Sequence, residues 1–115
     1  MTNTTSQQYV QIKQLLIDLE NELMSLAVWS ETPPSPEAFL SQQPFAYDTM
    51  TLVEWIQYIF IPKMSELIEM EGPLPSRCGI SPMAEEYFKQ SGLDISRLMG
   101  LLASIDQELG GLAEN

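Results

Sequence analysis

Cys78, next to Arg77, is the one candidate nucleophile in the sequence. A neighbouring cation favours the thiolate, the reactive form. Nucleophilic catalysis also needs a base to take the proton, and no base lies near it; the chain contains no histidine at all. That absence excludes histidine-dependent triads, histidine zinc sites and the Glu-x-x-His pairs of carboxylate-bridged di-metal bundles. The neighbours Glu85 and Glu86 would point about 100° apart on a helix. They diverge, which is the pattern of a solvated face. Asp48 and Glu54 could flank a site near the start of an apolar run, but capping and charge–dipole attraction at a helix N-terminus account for both. Gly72, Gly79 and Gly92 are too far apart to form a phosphate-cradling loop. This inventory predicts no enzyme, no metal and no cofactor.

The elements that would position any site are organised around residues 43–64, which hold most of the aromatic side chains and the longest nearly unbroken apolar run. Thr51 and Glu54 have the spacing of a capping box, and Met50 and Trp55 that of a hydrophobic staple. A helix so apolar on all sides must be surrounded by protein. Pro62 supplies no amide and would clash with the carbonyl of Tyr58, which predicts a kink. The acids Glu66, Glu69 and Glu71 at the far end oppose the helix dipole, which calls for a cation there or a lysine from a partner.

Upstream, Tyr9, Ile12, Leu16, Leu19, Leu23 and Leu26 alternate three- and four-residue steps, with Val10, Ile17 and Met24 read as widening that stripe. The prolines at 33, 34 and 36 end this first helix, and Ser35-Pro36-Glu37 has the look of a cap on a single helical turn. Phe45 and Tyr47 are expected to dip toward the core and pin the connector. Downstream, Gly72-Pro73-Leu74-Pro75 breaks the helix and Ser81-Pro82 caps the next, whose stripe is Met83, Ala84, Tyr87 and Phe88. Gly92 fits a helix C-terminus, and Asp94 a cap on the last helix, where Ile95, Leu98, Leu102, Ile105, Leu109 and Leu112 repeat the first helix's spacing. Gly100 inside it costs about 1 kcal/mol relative to alanine, and is read as a close approach of two helices.

The expected fold is all-α: a four-helix bundle with a long connector between helices 1 and 2 and a Pro-kinked central helix 2. It is read as a single domain, 1–115, with helices about 6–29, 51–70, 82–91 and 95–110.

The bulk properties agree. A chain of 115 residues with 44% apolar content can bury one core. Its first residues are polar and expected to be loose, with neither the basic nor the apolar region of a signal peptide. No apolar run is long enough to span a membrane, and one cysteine suits a reducing compartment, so a cytoplasmic location is expected. Sixteen acidic residues against five basic give a formal charge of −11. Such a surface repels phosphate and anionic membranes, which argues against direct nucleic-acid binding; it favours solubility or a basic protein partner.

Gln43-Pro44-Phe45, Asp48-Thr49-Met50, Glu54-Trp55-Ile56-Gln57, Ile61-Pro62-Lys63-Met64 and Pro73-Leu74-Pro75 together resemble the YqcC-like family of small bacterial proteins. The resemblance covers the chain in length and helix order, with its specific residues between Gln43 and Pro82. Lys63 stands where the family usually has arginine, and Tyr58 where it often has tryptophan. The resemblance implies an all-helical bundle with no established activity, cofactor or catalytic residue. Members are often encoded beside a tRNA pseudouridine synthase, whose name the family label sometimes borrows. That enzyme has a different, much larger fold.

Composition and resemblance together lead to the expectation of an acidic interaction or accessory module, linked to a tRNA-modification (pseudouridine synthase) pathway. The alternative is a helical bundle that binds a small ligand between the 41–50 connector and the central helix. The candidate interaction surface or pocket comprises Phe45, Tyr47, Asp48, Glu54, Trp55, Gln57 and Lys63. Capping, kinking or core packing is the simpler role for each.

Overall fold

The computed structural model describes residues 6–75 and 79–109. These form four helices and two short 3-10 turns, and no strand occurs among the described residues. Helix α1 is Ser6–Ser25. Helix α2 covers 52–70 in three parts: an α-helical turn Leu52–Trp55, a π turn Ile56–Phe60 and an α-helical end Ile61–Met70. Helices α3 and α4 are Ile80–Tyr87 and Ser96–Glu108. The all-α architecture of four helices is the one expected. The expectations for the N-terminal segment before Ser6, for Arg77 and Cys78, and for Gly110, Gly111 and Leu112 lie outside the described residues.

The buried line of α1 is Ile12, Leu16, Leu19 and Leu23, with Leu26 half-buried beyond it. Val10, Ile17 and Met24 do not widen it: all three are exposed. At about 100° per residue they fall more than 100° round from the Ile12–Leu19 line. The helix also stops at Ser25, short of Val28. Ala27 turns left-handed (φ 62°), donating its N–H to Met24 O at 3.0 Å, while Val28 N–H reaches Leu23 O at 3.2 Å. This pair of bonds is a Schellman motif, with alanine in the place where glycine is usual.

The start of α2 follows the sequence closely. Glu54 N–H donates to Thr51 Oγ1 (3.1 Å) and Thr51 N–H to Glu54 Oε1 (2.9 Å), which completes the capping box. Met50 is buried, and Trp55 packs against it. Where a kink is expected at Pro62, the structure has the π turn Ile56–Phe60, in which Ile61 N–H donates to Ile56 O. Trp55 and Ile61, at its two ends, keep right-handed helical dihedrals. Bonds running five residues back shift the ladder just ahead of the residue that has no amide to join it. At the far end it is Glu71 that turns left-handed (φ 55°), one residue before Gly72, and Gly72 N–H closes onto Leu67 O at 2.8 Å. Tyr9 of α1 donates its hydroxyl to Gly72 O at 2.7 Å, so α1 ties down this terminus. Lys13 lines a small cleft with Ser65, Ile68 and Glu69, bringing one cation of the chain near the acidic end.

Helix α3 begins at Ile80, two residues earlier than expected, and ends at Tyr87 rather than near 91. Gly79 precedes it in the left-handed region (φ 70°). Its first amides are held from another helix: Asp106 of α4 accepts Ile80 N–H (3.1 Å), Ser81 N–H (2.9 Å) and Ser81 Oγ–H (2.8 Å). Pro82 follows where no donor is needed. Gly92 is left-handed (φ 78°) but lies in the turn after α3, beyond its end.

In α4, Leu98, Leu102, Ile105 and Leu109 are buried as expected. Gln8 donates to Glu108 O at 2.9 Å, and Arg97 pairs with Glu22 at 3.3 Å. The start of α1 is therefore near the end of α4, and the two helices run antiparallel. The N-terminus of α3 likewise meets the C-terminal part of α4. Gly100 marks no close approach; a Cβ there would meet nothing within 4 Å. Gly100→Ala is therefore expected to stabilise the fold by about 1 kcal/mol, read as a rise in the urea midpoint with an unchanged slope.

Asp94 reaches the start of α4, accepting Ser96 Oγ–H (2.7 Å) and Ser96 N–H (3.1 Å). The side-chain bond first, then the backbone bond, holds its carboxyl below the ordinary value of 3.8. A carboxyl more acidic in the folded chain than in the unfolded one stabilises the fold above that ordinary value. The contribution is lost as the pH falls through the lowered value. Denaturation of wild type and Asp94→Ala across pH is thus expected to show a gap at neutral pH that closes on acidification below 3.8.

Candidate functional site

The connector between α1 and α2 carries the 3-10 turns Pro36–Leu40 and Pro44–Ala46. Ser35 precedes the first turn but makes no side-chain cap; Ala38 N–H bonds Ser35 O instead. In the second turn, Phe45 and Ala46 are both left-handed (φ 57° and 50°). Such residues cost of order 1–3 kcal/mol each and persist only where the surrounding packing imposes them. Here it does. Ala46 is buried with Ala38 and Met50, and the Phe45 ring meets Trp55 edge-on at 4.8 Å. Trp55 in turn stacks on Phe60 at 5.4 Å.

The tight double turn sends Phe45 inward and Tyr47 outward. Tyr47 is 61% exposed, so it does not pin the connector; Ala38, Ala46 and Met50 do. Asp48 is exposed and accepts a hydrogen bond from Ser41 Oγ. Glu54 serves the capping box, and Trp55 is half-buried in the ring cluster. Gln57 is only 8% exposed. Its amide clamps one connector residue from both sides: Oε1 accepts Ser30 N–H at 2.9 Å, and Nε2 donates to Ser30 O at 2.6 Å. Lys63 is exposed on α2. Phe45, Tyr47 and Trp55 thus gather at one end of the bundle, while Gln57 acts as a strut.

Two concavities lie at that end. A cleft of ≈ 90 Å³ is bordered by Phe45, Tyr47, Met50, Leu52, Met83 and Tyr87. A larger, open groove of ≈ 650 Å³ runs between the start of α2 and the end of α3. Buried Val53 and Phe88 floor it, with Val28 alongside, and Leu93, Tyr87 and Glu54 stand at its edges. Tyr87 borders both and is 45% exposed, so the two concavities form one continuous face. The groove lies away from the expected ligand site between the 41–50 connector and α2. Of the candidate residues only Glu54 lines it.

Tyr87 and Leu93 escaped the sequence reading. Tyr87 looks like part of an apolar stripe, but its neighbour Phe88 takes the inward position, and the two rings meet edge-on at 4.9 Å. Successive side chains on a helix point about 100° apart, so on a helix with one buried face only one of the two rings lies fully inward, which was the available signal. Asp106 had a signal too: it follows Leu102 by four residues, so it lies on the buried face, where an acid needs donors. Among the described residues, no group of three or more Cys, Asp or Glu is placed to hold a metal ion. No helix among them is long and apolar enough to cross a membrane.

Comparison with known proteins gives three kinds of match. A family model, DUF446, described as tRNA pseudouridine synthase C, matches residues 11–108. An uncharacterized protein of Haemophilus influenzae is 39% identical over 97 residues, covering 84% of this chain and 91% of its own length. The uncharacterized protein YqcC of Escherichia coli is 40% identical over 57 residues, half of this chain and 52% of its own length. A protein of Pectobacterium carotovorum named tRNA pseudouridine synthase C is 43% identical over 65 residues, 56% of this chain but only 17% of that protein. The solution structure of E. coli YqcC superposes with a TM-score of 0.79 at 28% identity, covering 94% of this chain and 92% of that one.

Proposed function

Because the chain belongs to the YqcC-like family, we propose that it is a cytoplasmic, acidic docking module that serves a tRNA pseudouridine synthase. One observation carries the proposal. A segment 43% identical to this chain makes up 17% of a longer protein that bears the synthase's name, so the name describes a protein most of which lies outside the similarity. A segment that is joined to an enzyme in one relative is a natural partner of that enzyme where the two are separate chains. A formal charge of −11 suits docking on the basic surface that a tRNA-binding enzyme must present. Tyr47 and Tyr87, exposed together at one end of the bundle, are the kind of side chain that anchors interfaces.

The test is direct binding of the purified chain to the purified synthase of the same organism, by calorimetry at low and high salt. The expected result is a complex that weakens as salt rises. No complex at low salt would overturn the proposal. The groove volume of ≈ 650 Å³ favours a second reading, a small-ligand site, since it falls within the roughly 300–1,000 Å³ of such pockets. Native mass spectrometry of the chain purified from its own cells would show a retained compound if that reading holds.

A further inference from the structure

The groove between α2 and α3 has an apolar floor, with Glu54 at its edge. Val53 and Phe88 are buried at its base, and Leu93 and Tyr87 stand partly exposed at its edge. Glu54 lines it, and three more carboxylates are adjacent in sequence to lining residues: Glu31 after Ser30, Glu86 before Tyr87 and Asp94 after Leu93. One cation, Lys89, is interleaved there, and it already pairs with Glu86 at 3.5 Å. Among the described residues lining the groove Glu54 is the one that carries charge, and the chain as a whole has a formal charge of −11, so the surroundings are net negative, while the open apolar trough excludes a purely polar occupant.

We propose that this groove seats a basic segment of the partner protein, in which an apolar side chain is flanked by lysine or arginine. The apolar side chain would fill the trough over Val53 and Phe88 while its cationic neighbours meet Glu54 and the net negative surroundings. Anionic ligands are repelled by the same charge, and a second copy of this acidic chain would bring like charges together. The inference rests on the docking reading above and assigns that reading its contact surface.

The test measures affinity for the purified synthase with Leu93→Glu, Tyr87→Ala and a control, Val10→Glu, on the exposed side of α1. Leu93, Tyr87 and Val10 are all exposed, and circular dichroism verifies that each variant is folded. Leu93→Glu and Val10→Glu add the same charge. Attraction by overall charge alone would strengthen both, whereas a seated apolar anchor is disrupted only by the former. We expect Leu93→Glu and Tyr87→Ala to weaken binding at least about tenfold and Val10→Glu to leave it within about twofold. If wild type binds and the groove variants bind as well as it does, the groove assignment is overturned and the docking reading stands. If wild type does not bind at all, the docking reading falls and takes the groove with it.

Discussion

Asp106→Ala is expected to destabilise the protein by about 3 kcal/mol, because it leaves the first amides of α3 without partners. Asp106 is 3% exposed and accepts three hydrogen bonds at 2.8–3.1 Å, two of them from the backbone at Ile80 and Ser81. Those amides lie at the positive end of the helix, so the carboxylate satisfies them and its negative charge is stabilised by the dipole. Ile80 is fully buried, and water cannot replace the lost acceptor without opening the core. Asp106→Asn keeps one acceptor oxygen and should lose less than the alanine variant. Ser81→Ala removes only the hydroxyl bond and should cost about 1 kcal/mol. Urea denaturation orders the three variants. Hydrogen exchange adds a local readout, with the Ile80 and Ser81 amides losing protection first in Asp106→Ala. Equal stability of Asp106→Ala and wild type would mean that α3 is capped in some other way.

Gln57→Leu is expected to cost about 2 kcal/mol even though it places a more apolar side chain in a buried position. The wild-type amide matches both the N–H and the C=O of Ser30, at 2.9 and 2.6 Å, and so replaces a pair of backbone bonds that the connector cannot make with itself. Leucine has the right bulk but leaves both groups unpaired in a half-buried place. Tyr58, whose hydroxyl lies 3.3 Å from Ser30 O, can retain part of the carbonyl's bonding, so the N–H is the larger loss. The loss should be concentrated in the connector: amides near Ser30 exchange faster, while those of α1 and α4 keep their protection. Because Val28 and Ser30 line the groove, the same variant should also loosen that wall. A Gln57→Leu protein as stable as wild type would show that the clamp contributes nothing.

Where the determining interactions were local, the sequence alone was enough. Periodicity placed Ile12, Leu16, Leu19 and Leu23 on one buried line, and Leu98, Leu102 and Ile105 on another. The capping box of Thr51 and Glu54 formed as spaced, since both partners sit within one turn. The helix ends were less legible. α1 and α2 stop at left-handed Ala27 and Glu71, residues whose types do not announce that conformation. Glycine would have announced it, but Gly72 stands one residue late and Gly92 lies in the turn beyond α3.

The tertiary structure alone decided everything that depends on distant pairs. Asp106 caps a helix 25 residues away, and Gln57 clamps a connector 27 residues away. No spacing rule reaches across such gaps, because the partners meet only after the helices have packed. Tyr47 looked like a core anchor and faces outward, for the two left-handed residues before it reverse the direction in which the chain presents its side chains. The groove proposed for docking is of the same kind. Its walls come from the start of the connector after α1, the first turn of α2, and the end of α3 with the segment that follows, and it exists only once α2 and α3 lie side by side. Composition determined the sign of the charge; packing determined where a partner could meet it.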